Sequence, residues 1–121
     1  MIALYIGTGL TILWGIAHLF PTRNVVAGFG EISADNKHII TMEWLVEGVA
    51  LIFVGLLVAV VTYLDPANLV SQAVYTLAAI FLLALAIVSL LTGFKVNMVP
   101  FKLCPLIFGL SAVLIIFGAF L

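Results

Sequence analysis

Four long apolar runs decide what this chain can become. They occupy about residues 2–20, 39–63, 69–92 and 101–121. Each reaches about the 20 residues that an α-helix needs to cross about 30 Å of hydrocarbon. The first closes at Pro21, the second at Asp65-Pro66 and the third at Gly93. None alternates apolar and polar residues with period two, and a barrel would need many short strands instead. Four such helices consume most of 121 residues, which leaves no room for a soluble domain. Composition points the same way. Charged residues make up 7% of the chain and hydrophobic ones 66%, whereas a soluble domain carries roughly 25% charged residues. A soluble enzyme, a nucleic-acid binder and a disordered chain are thereby excluded. The expectation is an all-α integral membrane protein, one transmembrane domain over residues 1–121, in contact with the lipid bilayer.

The first run resembles a signal peptide in length only. It has no basic leader, and no small-x-small cleavage site precedes Pro21. It is read as a retained helix. A single cysteine, Cys104, excludes an internal disulfide and paired-cysteine motifs.

Charge placement sets an orientation. All four basic residues, Arg23, Lys37, Lys95 and Lys102, fall in or beside the first and third connections. In a four-span chain these two connections share one side. The positive-inside rule puts connections 21–38 and 93–100 in the cytoplasm, with both termini and the Asp65 turn outside. Short connections then give an antiparallel four-helix bundle, N-out and C-out, in a bacterial inner membrane. Tyr5, Tyr63 and Tyr75 fall where an outer aromatic belt would lie. The connection 21–38 contains Val25, Val26, Phe29 and Ile32. It is expected as an interfacial loop, with tucking into the bundle mouth as the alternative. Ser33 or Asp35 would cap the second helix.

Packing within lipid favours small residues, because lipid tails already satisfy apolar side chains. Gly7 and Thr11, Gly48 and Gly55, Thr76 with Ala79 and Ala86, and Gly109 with Ala112 and Gly118 give each helix a small inward stripe.

Ionisable groups inside a span are costly, so each is a functional candidate. Glu43 and Glu47 are four residues apart and share a helix face. His18 reaches the same end from the first helix. Trp14 and Trp44 neighbour the group, Ser89, Thr92 and Cys104 complete that end, and Arg23 is a candidate counter-charge. Glu47, counted from Ile39, is expected too deep to reach the surface. Together His18, Glu43, Glu47, Trp14 and Trp44 form a candidate ligand-binding or proton-handling site. No metal is expected: the ferritin-like pattern needs Glu-x-x-His motifs, and the chain has none. His18 and His38 are poorly placed to hold a haem.

At the second helix the run Glu47-Gly48-Val49-Ala50-Leu51-Ile52-Phe53-Val54-Gly55 resembles the corresponding helix of the DoxX-like membrane proteins. The first helix ends Gly15-Ile16-Ala17-His18-Leu19-Phe20-Pro21, which is similar to that group's first helix. The resemblance carries over Glu47, Gly48, Gly55 and His18. It implies a four-helix membrane fold and, for some members, association with quinone-linked oxidation of sulfur compounds.

Three functional readings follow. The first is a membrane subunit or interaction protein, whose Glu/His cluster locks the bundle and whose partners are other membrane subunits or further copies of itself. The second binds a lipophilic ligand, a quinone or a lipid, at the cytoplasmic half. The third is a small transporter or proton pathway.

Overall fold

The computed structural model describes all residues, 1–121. It is all-helical. The elements are α1 (Ile2–Leu19), α2 (Thr22–Ala27), α3 (Ala34–Leu64), α4 (Leu69–Leu91), a short 3-10 turn (Gly93–Lys95) and α5 (Val99–Phe120). Four helices, α1, α3, α4 with the turn after it, and α5, are long and apolar enough to cross a membrane. The apolar runs therefore emerge as helices.

Helix ends follow local chemistry. Helix α1 stops where Pro21 has no N–H for the Ala17 carbonyl. The next carbonyls are satisfied by side chains. The Trp44 indole N–H donates to the His18 carbonyl at 2.7 Å, and the Thr22 hydroxyl donates to the Leu19 carbonyl at 2.6 Å. Helix α3 starts at a cap, with Ser33 Oγ accepting the Asn36 N–H at 3.1 Å. It begins five residues before the apolar run at Ile39, because Ala34–His38 is polar yet helix-compatible once capped. The turn before it passes through Gly30 at φ 73°, a backbone conformation that glycine tolerates.

The segment between α1 and α3 is not a free interfacial loop. It forms α2, which packs on α3 with Val26 buried. Val25 and Val26 fold back toward the bundle, whose mouth covers Val26, while Phe29 stays exposed.

Close approach at glycines sets the helix spacing. A Cβ on Gly15 would stand 2.9 Å from the Gly48 carbonyl oxygen, and one on Gly118 would stand 2.6 Å from the Leu4 nitrogen. Gly55 meets Ile12, Gly48 meets Leu19, and Gly7 faces Ser111 and Ile115. Helix α4 packs mainly on α5. The core joins Leu4 of α1, Leu51 and Val58 of α3, Tyr75 and Leu82 of α4, and Phe108 and Ile115 of α5. Large apolar side chains elsewhere point outward, among them Leu13, Phe53, Leu77 and Leu106. That pattern suits helices whose outer solvent is lipid.

Three expectations are corrected. Tyr75 is no belt residue: it is fully buried, and its hydroxyl lies 2.9 Å from Thr62 Oγ1. Thr76 is exposed and bonds its own helix at the Gln72 carbonyl. Gly109 meets nothing within 4 Å, so it is not part of the packing stripe.

Candidate functional site

The site forms where one helix ends early. Gly48 of α3 lies level with Gly15 and Leu19 of α1. Trp44 still meets the last turn of α1 at His18, so about the first ten residues of α3, 34–43, run on beyond the end of α1. At about 1.5 Å per residue, the 31 residues of α3 span about 46 Å and the 18 of α1 about 27 Å. The space beyond Leu19 is only partly filled by α2.

What remains is a partly open cavity of about 520 Å³. The end of α1 contributes Trp14, Ala17 and His18, and Val25 comes from α2. Helix α3 contributes Trp44 and Glu47, and the end of α4 contributes Val88, Ser89 and Thr92. Beyond these stand Met98 and the start of α5, with Phe101 and Cys104. The size falls within the range of small-molecule sites, roughly 300–1,000 Å³. The walls are mainly apolar and aromatic.

Its polar groups are few and specific. The His18 ring stacks on Trp44, with centroids 3.8 Å apart and planes 17° from parallel. Trp44 meets Phe101 at 5.7 Å in a tilted contact. His18 Nε2 lies 3.2 Å from Glu47 Oε2. The alignment falls outside hydrogen-bond geometry, so this buried ring nitrogen has no hydrogen-bond partner. The His18 side chain is 8% exposed and that of Glu47 is 40% exposed. Ser89 and Thr92 are turned onto their own helix, donating to the Leu85 and Val88 carbonyls. Cys104 Sγ donates to the Pro100 carbonyl at 3.4 Å. Pro105 inside α5 has no N–H for the Phe101 carbonyl four residues back.

The candidate residues thus separate. Trp14, His18, Trp44 and Glu47 come together around one cavity. Glu43 does not line it: it is exposed and borders a shallow outer groove with Ile40, Trp44, Val46 and Glu47. Arg23 is exposed and forms no ion pair, so it is not the counter-charge of either carboxylate. His18–Glu47 is the one acid–base contact within 4.0 Å. Sequence reasoning missed Phe101 and Val25. Pro100 just before Phe101 was the available signal, because a proline is favoured in the first turn of a helix and so marks where α5 starts.

Chemically, the arrangement brings an imidazole and a carboxylate within 3.2 Å of each other, out of line for a direct hydrogen bond. It can also present a carboxylate and aromatic faces to a ligand within an apolar enclosure. In comparisons with protein families, curated proteins and solved structures, nothing matches this chain.

Proposed function

We propose that this chain is a small polytopic membrane protein that binds a lipophilic ligand with a polar head in the cavity between α1, α3, α4 and α5. The observation that carries the reading is the open cavity with a misaligned His18–Glu47 pair at its wall. A cluster that served only to lock the bundle would be dry, with every polar atom matched. Here His18 Nε2 has no aligned partner and Glu47 remains half-exposed beside an apolar space. His18 and Glu47 are the proton partners of the head group, and Trp14 and Trp44 are its walls. The volume accommodates a quinone ring or a lipid head with the start of its tail.

The wider reading is an antiparallel bundle in a bacterial inner membrane, N-out and C-out. The pairing of Gly15 with Gly48 and of Ile12 with Gly55 supports the antiparallel course of α1 and α3. The placement of Arg23, Lys37, Lys95 and Lys102 supports cytoplasmic connections 21–38 and 93–100. On this reading the cavity opens in the cytoplasmic leaflet. The DoxX-like resemblance belongs to the same proposal; its Glu47, Gly48 and Gly55 are a cavity residue and two contact points with α1.

The chain supplies its own reporter. Its two tryptophans, Trp14 and Trp44, both line the cavity. Titration of the purified protein in neutral detergent with decylubiquinone, a short-chain quinone, reads occupancy by tryptophan fluorescence. Mass spectrometry of the preparation reads what co-purifies. Saturable quenching, or a stoichiometric small molecule, supports the reading. Linear, non-saturating quenching by every amphiphile tried, with no retained molecule, overturns it.

A further inference from the structure

We infer that the head group this cavity selects presents a cation of the ammonium type on an apolar body. The inference rests on the cavity being a ligand site and adds the sign of its ligand.

Glu47 is the only formally charged side chain on the wall at neutral pH. No Lys or Arg compensates it. Lys102, which adjoins the lining residues Phe101 and Leu103, is turned away. Its Nζ donates to the Phe94 carbonyl at 2.8 Å and sits 4.9 Å over the Phe94 ring. His18, the one base in contact, is off-line for a hydrogen bond. A carboxylate without a matched cation, beside an apolar space, is what a cationic ligand would complete.

The other walls have the same sign. Trp14, Trp44 and Phe101 offer aromatic rings, and tryptophan is the strongest cation–π partner. Helices α1 and α4 bring carboxyl ends to the cavity and α5 brings its amino end. Helix α2 also brings its amino end, at Pro21, so the helix dipoles offset one another and the side chains set the sign. An anionic head would meet repulsion from Glu47. A neutral head would bury the carboxylate with no counter-charge, which desolvation disfavours.

The ammonium could belong to a free lipophilic amine or to a lipid head group, and the test separates these sources. Tetraphenylphosphonium and tetraphenylborate have the same shape and opposite charge. Tryptophan quenching of the intact protein is titrated with each. The phosphonium is expected to saturate at least ten-fold tighter than the borate. Glu47→Gln is expected to remove that preference, whereas Glu43→Gln, outside the cavity, retains it. The comparison of the two ions on the unaltered protein stands even if Glu47→Gln fails to fold. Equal or tighter binding of the borate overturns the inference, and so does an unchanged preference in folded Glu47→Gln.

For the source, the protein is exchanged into nanodiscs of mixed phosphatidylethanolamine and phosphatidylglycerol and examined by native mass spectrometry. Retained phosphatidylethanolamine that tetraphenylphosphonium displaces assigns a lipid head. Phosphonium binding without retained lipid assigns a free cation. Selective retention of phosphatidylglycerol rejects the cationic head. If decylubiquinone binds and the phosphonium does not, the charge inference fails while the ligand site stands. If neither binds, both fail.

Discussion

Gly15→Ala tests how the bundle is held. Helices α1 and α3 touch at Gly15, where an added Cβ would stand 2.9 Å from the Gly48 carbonyl oxygen and from Ile52 Cγ1, and 3.0 Å from the Ile52 nitrogen. Ordinary contact begins near 3.4 Å. The methyl therefore needs about half an ångström, and two of its three neighbours are backbone atoms that no rotamer change can move. The helices must part. A radial gap of 0.5–1 Å forfeits about a quarter to a half of each dispersion contact along the interface. Small-to-large changes in tight packing cost about 1–3 kcal/mol, and that is the loss expected here. Gly9→Ala on the same helix is the control, because its Cβ meets nothing within 4 Å. Alanine there gains about 0.5–1 kcal/mol of helix propensity. The two substitutions, chemically identical and six residues apart, are thus expected to have opposite signs. Equilibrium unfolding in neutral detergent or by steric trapping in bicelles reads the difference. If Gly15→Ala is as stable as Gly9→Ala, close glycine packing is not what holds α1 on α3.

The remaining predictions concern hydrogen bonds placed by the fold. Tyr75→Phe removes the buried contact with Thr62 at 2.9 Å and is expected to cost about 0.5–1.5 kcal/mol. Tyr63→Phe, on an exposed side chain, should stay within about 0.5 kcal/mol. Equal effects in the same unfolding assay would return Tyr75 to the lipid interface. Trp44→Phe deprives the His18 carbonyl of its donor at 2.7 Å, and the loss should be about 1–3 kcal/mol. Unchanged stability would mean that water replaces the indole at that carbonyl. Ser33→Ala removes the α3 cap and should cost about 1 kcal/mol, seen as faster amide exchange over residues 34–38; unaltered exchange there would show the cap to be dispensable.

The helices were legible because hydropathy adds up along a chain and lipid imposes one rule on every outward residue. Pairing was less so. Gly7, Gly48, Gly55 and Gly118 sit at contacts as their spacing suggested, yet Gly109, nine residues and so about 180° from Gly118 on the helix, meets nothing. Spacing fixes which residues share a face, but not which helix that face meets. Tyr75 illustrates the same gap. Its place near the start of α4 suggested a belt, and its burial depends on Thr62, which lies on the preceding helix. Glu43 and Glu47 were correctly placed on adjoining positions of one face, but a face is wide. At 3.6 residues per turn, Glu47 lies about 40° from Glu43 and about 60° from Trp44. Trp44 is stacked on His18 at the cavity wall. Glu47 is then the rim of the cavity, and Glu43 falls outside it.

The cavity itself arises from unequal helix lengths. Helix α1 ends at Leu19 because Pro21 withholds a donor, while α3 runs on for 14 residues beyond the level of Gly48, from Ala34 to Glu47. A fifth short helix, α2, returns Val25 and Val26 toward the gap without filling it. On the other side α5 begins with Pro100 in its first turn, and Pro105 withholds a donor from the Phe101 carbonyl. Glu43 is exposed on the outer face, where nothing encloses its carboxylate. Glu47, one turn further along α3, lines the cavity, and no lysine or arginine pairs with it. Of the two carboxylates, only Glu47 therefore faces an enclosed space. On the proposed reading, the gap left by α1 is where a partner for it has room to bind.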